Sequence, residues 1–407
     1  MIHCRLCDSK KLTQFLDLGS TPPADQFRRI EQLSEPEIHY PLKVVRCDKC
    51  MFIQLNYVVS PEILYRNDYP YESSITKTGR EHFKEFALSV IKLFNLSKND
   101  LVIDIGSNVG VLLDVFKNEG CRVIGIDPAV NIVRIAEKNN VETIPEFFSI
   151  EVAKKIIKSY GKAKIITASN VFAHIDDLNS MMNGIDCLLD EDGVFIVEAP
   201  YLVNLLNKLE YDTIYHEHLS YLSLVPLIPF LYECGFELFD VSQVDIHGGS
   251  IRLFISRKNK RKVSKAIHEH LTYENENAIY SIDNLIQFAK KVEKNRDDLV
   301  WLLKSLKREG KQIAGVSAPA KGMTLLNYCK IGKETLCFLT EKSTLKIGRF
   351  APGNNLPVYT DSALIENNID YALLLAWNFK DEIMKNLTQF KGNGGKFIIP
   401  IPEPTII

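Results

Sequence analysis

From residue 101 onward the apolar positions fall into short continuous runs, separated by stretches in which they recur every three or four residues. A short apolar run closed by a turn predicts a buried strand, and the longer recurrence predicts a helix packed on one face. Strands are therefore expected at 101–105, 122–126, 164–169, 194–198, 235–241 and 251–256, preceded by a helix over 81–93. Strands that alternate with helices in this way build a mostly parallel sheet. A long amphipathic stretch, 282–306, follows and is closed by Gly310. Beyond it the alternation resumes, with strands expected at 312–317, 335–340, 371–376 and 396–399. The pattern gives an α/β fold in three units: an N-terminal segment (1–75), a central Rossmann-like domain (76–270), and a second doubly wound α/β domain (271–407) that includes the connecting helix.

The first strand of the central unit runs into Asp104-Ile-Gly106-Ser107-Asn108-Val-Gly110. Glycines there let backbone amides and a helix N-terminus approach a bound group closely. The spacing is GxxxG, so the dinucleotide fingerprint GxGxxG is not met. The next strand ends at Asp127, about 20 residues on, where an acidic side chain can accept hydrogen bonds from ribose hydroxyls. A carboxylate at the glycine turn and a ribose at Asp127 need no phosphate between them.

Charge narrows the partners. With 49 Lys plus Arg against 51 Asp plus Glu, the net charge of −2 offers no general attraction to nucleic acid or anionic lipid. The longest apolar run, 224–232, carries Pro226 and Pro229, and the chain opens Met1-Ile2-His3-Cys4 without a basic-then-apolar leader. Neither a membrane span nor secretion is expected, and the location expected is cytoplasmic. No heptad run or exposed strand pattern stands out, so a monomer or a weak homo-oligomer is expected.

The nine cysteines are unevenly spread. Cys4 and Cys7 form one Cys-x2-Cys pair, Cys47 and Cys50 a second, and five others are single. Two such turns supply the four thiolates of a tetrahedral structural zinc site. With four protein ligands the metal has no open position, so its expected role is to fold the segment. Two unrelated turns fit less well, since both pairs sit in basic-polar turn contexts, and a redox pair fits less well again, since neither pair heads a helix after a strand.

Three segments concentrate reactive groups that an ordinary core does not select: Tyr69-Pro-Tyr71-Glu-Ser-Ser74, Asn170-Val-Phe-Ala-His174 and Tyr215-His-Glu-His-Leu-Ser-Tyr221. The last can hold a general base, a group that orients it and a phenolic donor. Together with the two Cys-x2-Cys pairs, Ile105-Gly-Ser-Asn108, His247-Gly-Gly-Ser-Ile-Arg252, Lys346-Ile-Gly-Arg349, Pro352-Gly353 and Pro400-Ile-Pro-Glu403, these segments resemble the zinc-containing sugar C-methyltransferases that act on nucleotide-linked keto-deoxysugars. The resemblance spans nearly the whole chain. It departs from the family at Val109, where an Asp is common, and at Ile347, where a Gln is common.

The resemblance implies S-adenosylmethionine as cofactor and a nucleoside-diphosphate 4-keto-6-deoxysugar as substrate, methylated through an enolate at a ring carbon beside the ketone, most often C3. It makes His218 the base, with Glu217 assisting or orienting it. Tyr215 and Tyr71 (or its neighbour Tyr69) would contact substrate or the developing enolate, and His174 would line the methyl pocket. Asp104, Gly106, Ser107, Asn108, Gly110, Asp127 and Asn170 would hold the cofactor. His216, two residues before His218 in a segment expected to be extended, reads as structural. In the C-terminal half Lys321, on the turn after the first strand, with Lys346 and Arg349, could meet a diphosphate, and His247 and Arg252 lie in a glycine-rich segment suited to close ligand approach. The rivals are a sugar O-methyltransferase and a zinc-bearing nucleic-acid-binding or scaffold protein; acidic residues dilute the basic ones around the cysteines, which disfavours the second.

Overall fold

The computed structural model describes residues 2–66, 68–246 and 248–407. His247, one of the expected substrate contacts, lies outside the described residues. Three sheets share one continuous apolar core, which reaches from Leu16 and Phe52 through Ile103 and Phe195 to Leu299 and Leu339.

The central sheet has seven strands in the order Phe236–Val244, Ser250–Arg257, Leu189–Pro200, Ala163–Ser169, Leu101–Ile105, Arg122–Ile126 and Thr143–Ile144. The last five are mutually parallel; Ser250–Arg257 runs against them, and Phe236–Val244 pairs antiparallel to Ser250–Arg257. Leu101–Ile105 is buried at every position, as a strand covered on both faces must be. The helix expected over 81–93 runs Lys77–Phe94; the Thr76 side chain caps it by accepting from Gly79 N, and Asn95, left-handed at φ 49°, ends it.

The N-terminal segment forms an antiparallel sheet of Leu12–Thr21, Tyr40–Cys47 and Ile53–Leu55. Its fourth strand, Ser220–Tyr221, comes from the central domain. The C-terminal sheet contains Val358–Tyr359, Leu339–Thr340, Ile313–Val316, Tyr371–Leu374 and Lys396–Ile399 in parallel, with Thr405–Ile406 antiparallel at the edge. The connecting helix is Ile282–Arg308. Its buried Asn295 accepts from the Tyr211 hydroxyl at 2.7 Å and donates to the carbonyls of Pro400 and Pro402, both at 2.9 Å. One amide thus fastens the chain's last segment to the central domain. Among the described residues no helix is long and apolar enough to cross a membrane.

Candidate active site

Cys4, Cys7, Cys47 and Cys50 come together with all four sulfurs within 4.8 Å of one another. Cys4 and Cys50 Sγ are 3.4 Å apart, and Cys7 and Cys47 Sγ are 3.6 Å apart. Zinc bound at about 2.3 Å to each thiolate requires sulfurs about 3.8 Å apart, so the set fits the ion. The two turns are built alike: Asp8 N donates to Cys4 O and Met51 N to Cys47 O, each at 2.9 Å, and both Asp8 and Met51 are left-handed.

A cavity of about 700 Å³ opens at the carboxyl ends of the parallel strands, where open α/β sheets bind ligands. Asp104, Gly106, Ser107, Asn108, Asp127 and Asn170 line it; Gly110 does not. Gly106 and Gly110 have φ of 71° and 83°. A side chain at Gly106 would overlap Val171 Cγ2, and one at Gly110 would press on Val141. Gly110 therefore serves the turn itself.

Asp127 accepts from Asn108 N at one oxygen and Ala129 N at the other, both at 2.9 Å. Burial raises its carboxyl to about 6. Asp104 is raised to about 7 by burial and by Asp127, against the Thr167 hydroxyl that donates to it at 2.7 Å. Asn108 joins this turn to the Tyr69–Ser74 loop: its Oδ1 accepts from Ser73 N at 2.9 Å and its Nδ2 donates to Tyr71 O at 3.1 Å. Ser107 Oγ and Ser169 Oγ are buried polar atoms without a partner, beside a cavity where a polar ligand can supply one. These donors and acceptors fit a nucleoside with an amino-acid tail.

The reactive half of the cavity is aromatic. Residues 215–218 form a turn, with His218 N donating to Tyr215 O at 2.9 Å, where an extended segment was expected. An extended segment would put residues two apart on one face, and it is the turn that separates the two histidines. His218 lines the cavity, while the His216 ring is held against Tyr40 O at 3.1 Å, away from it. His218 Nδ1 lies 2.7 Å from Thr213 O. A carbonyl only accepts, so Nδ1 carries a proton, and the nitrogen that can act as a base on this ring is Nε2.

The Tyr215 ring centroid is 4.0 Å and the His174 centroid 5.1 Å from that of His218. His174 stacks on Tyr65 with an interplanar angle of 8°, and burial, together with His218, keeps it neutral well below the ordinary histidine range. Glu217 accepts from the Tyr69 hydroxyl at 3.0 Å. Burial and the charge of Asp25 push its carboxyl up to about 8, against the pull of Tyr69 and Lys346.

Comparison with known proteins decides what this arrangement belongs to. Three protein-family models match in succession: "Putative zinc binding domain" at 4–65, "Methyltransferase domain" at 79–241 and "C-methyltransferase C-terminal domain" at 245–402. C-methyltransferase NovU of Streptomyces niveus is 36% identical over 406 residues, covering 100% of this chain and 96% of the relative. The chain belongs to the C-methyltransferase family. An uncharacterized methyltransferase of Alkaliphilus oremlandii is 26% identical over 163 residues, 36% of this chain and 72% of its own. Among solved structures, magnesium protoporphyrin IX methyltransferase of Synechocystis PCC 6803 with bound SAH aligns with a TM-score of 0.35 and 15% identity, over 46% of this chain and 90% of that one.

The protein is accordingly an S-adenosylmethionine-dependent C-methyltransferase with a zinc-binding N-terminal domain, and its remaining polar residues are distributed as follows. Lys321 lines the cavity from the C-terminal domain, 3.2 Å from Asn378 Oδ1 and 3.5 Å from Asp212 Oδ2. Lys346 also lines it but is 4% exposed, bonded to Asp25 Oδ1 at 2.8 Å and Ala318 O at 2.9 Å.

Two expected substrate contacts are engaged elsewhere. Arg349 grips Asp68 with both terminal nitrogens. Arg252 is buried, forks onto Glu198 Oε2 at 2.8 and 2.7 Å, and lies 3.7 Å over the Phe86 ring. The group at His218 Nδ1 is the Thr213 carbonyl, where Glu217 had been expected to orient the ring. The tyrosine that reaches Glu217 is Tyr69; Tyr71 lines the same cavity but is 39% exposed. Asp25, Tyr65 and the His82–Glu198 pair, 2.6 Å apart, also line the cavity. No local motif marks them, and only the chain's long-range folding brings them there.

Proposed function

We propose that this C-methyltransferase methylates a nucleoside-diphosphate 4-keto-6-deoxysugar at C3. The observation that carries the proposal is His218, held at Nδ1 by the Thr213 carbonyl in the aromatic wall of the cavity so that Nε2 is its basic nitrogen. A carbon acid beside a ketone is weak, so its proton must go to a positioned base while donors stabilise the charge that develops on the ketone oxygen.

His218 Nε2 takes the proton from carbon. Tyr215 and Glu217 face the same space as acids: burial holds the Tyr215 phenol well above its ordinary range, and Glu217, raised to about 8, is largely protonated at neutral pH. Both can therefore donate to the enolate oxygen, and the cost of burying an unpaired charge keeps them in that state. His174, neutral and stacked on Tyr65, shapes the wall where the methyl passes. S-adenosylmethionine supplies an electrophilic methyl on a sulfonium. At the far wall Lys321 stands in the first turn of helix Ala320–Tyr328, where a cation and helix amides together suit a diphosphate.

The test is calorimetric titration of the zinc-loaded protein with S-adenosylhomocysteine, followed by a panel of nucleoside diphosphates in its presence. Binding of the first and a preference among the second are expected. Binding of the first without any of the second would remove the sugar-nucleotide reading.

A further inference from the structure

The turn between Cys4 and Cys7 directs Arg5 inward, where the residue is 6% exposed. Its guanidinium makes three hydrogen bonds. Nη1 donates to Leu55 O at 3.0 Å and to Leu219 O at 3.3 Å, and Nε donates to Asp176 Oδ1 at 2.9 Å. Leu219 follows His218 directly, and Asp176 lines the cavity two residues beyond His174. The backbone of Arg5 is itself pinned, since its N donates to Gln54 Oε1 at 2.9 Å and Gln54 Nε2 donates to His3 O at 3.0 Å. Leu55 N adds a bond to the same Leu219 carbonyl at 2.9 Å.

We propose that Arg5 is a positioning residue for the base: the zinc-held turn places the guanidinium, which fixes Leu219 and so the ring of His218, and through Asp176 braces the wall that carries His174. The inference rests on the reading of His218 as the base. A planar fork can meet two carbonyls and a carboxylate at once, which a lysine ammonium cannot reproduce. Zinc occupancy then governs turnover from a site that touches neither substrate nor cofactor. A displaced base costs about 100-fold for a misplacement of about 1 Å. An Arg5 that served only as a strut would lower the melting temperature and leave each folded molecule fully active.

The test uses full-length, zinc-loaded Arg5→Met and Arg5→Lys. We expect zinc content and S-adenosylhomocysteine affinity to remain at wild-type values in Arg5→Met, with kcat lower by about 10- to 100-fold and KM little changed. Amide exchange of residues 215–221, read by mass spectrometry, should quicken, and Arg5→Lys should fall between. Should Arg5→Met fail to fold, Arg5→Lys and wild-type protein stripped of zinc by a chelator carry the same exchange measurement. Wild-type exchange at 215–221 and wild-type kcat per folded molecule would overturn the inference. If wild-type enzyme turns over no keto-sugar, it is the substrate reading that fails, and the exchange measurement still decides the role of Arg5.

Discussion

The Tyr69 hydroxyl donates to Glu217 Oε2 across 3.0 Å, joining residues 148 positions apart in the chain. The bond pulls the Glu217 carboxyl down against the burial and the Asp25 charge that push it up. Tyr69→Phe removes that pull, so Glu217 should hold its proton to higher pH. We expect kcat to fall about 10-fold or more and the alkaline limb of its pH profile to move upward. Tyr71→Phe, nearer the cavity mouth, should do less. A pH–rate series on both variants checks the order.

The same carboxyl leaves a mark on stability. Its folded value, about 8, lies above the ordinary 4.5, so the native state binds a proton that the unfolded state releases. That contribution is fully present below about 4.5 and is lost as pH rises through about 8. His174 shifts the other way, but its contribution is complete once pH exceeds its ordinary 6.5. Between about pH 7 and 9, therefore, the melting temperature of wild-type protein should fall more steeply than that of Glu217→Gln, as differential scanning calorimetry can show.

Zinc should be structural. Cys47→Ser leaves three thiolates where the geometry calls for four, and apparent binding energies at structural zinc sites of about 10–16 kcal/mol are folding energy. The variant should lose its metal by elemental analysis and expose strands Leu12–Thr21 and Tyr40–Cys47 to proteolysis.

Gly106→Ala introduces a methyl that meets Val171 Cγ2 at a φ of 71°. S-adenosylhomocysteine affinity should drop at least about 10-fold, since a left-handed position and a close approach are both spoiled. Calorimetry on Gly106→Ala and on Gly106→Ala/Val171→Ala separates the two causes: the double variant recovers only what the clash had cost.

Arg252 offers a contrast with Arg349. Burial pushes the Glu198 carboxyl up, yet His82 and Arg252 together hold it below its ordinary range. Arg252→Met strands that carboxylate with His82 alone and should cost about 3–5 kcal/mol in denaturant unfolding. Arg349→Ala breaks a pair to a half-exposed Asp68 and should cost about 1 kcal/mol or less.

Much of this architecture was legible in the chain because the signals were local. The run at 101–105 is apolar at every position except Asp104 and buried throughout, and the zinc ligands follow from two fixed spacings. What could not be read depended on partners far away. The strand Ile53–Leu55 is short, and what extends its sheet is Ser220–Tyr221, more than 160 residues on. Arg252 looked free for a ligand because Glu198 read only as the end of a strand. The turn at Tyr215–His218 was expected to be extended, and no glycine or proline within it marks the turn that the His218 amide closes on Tyr215. Asp25 has no motif around it, and its place in the cavity comes from the ion pair with Lys346, 321 positions away.

The most direct test of the account is the fate of the hydrogen on the methylated carbon. Nucleoside-diphosphate 4-keto-6-deoxysugars carrying deuterium at C3 or at C5, incubated with enzyme and S-adenosylmethionine, should yield a product that has gained one methyl and lost the C3 deuterium. His218→Asn, with cofactor binding intact, should yield none. Loss from C5 would move the carbon and keep the enolate chemistry; methyl gain with deuterium retained at both positions would contradict the account.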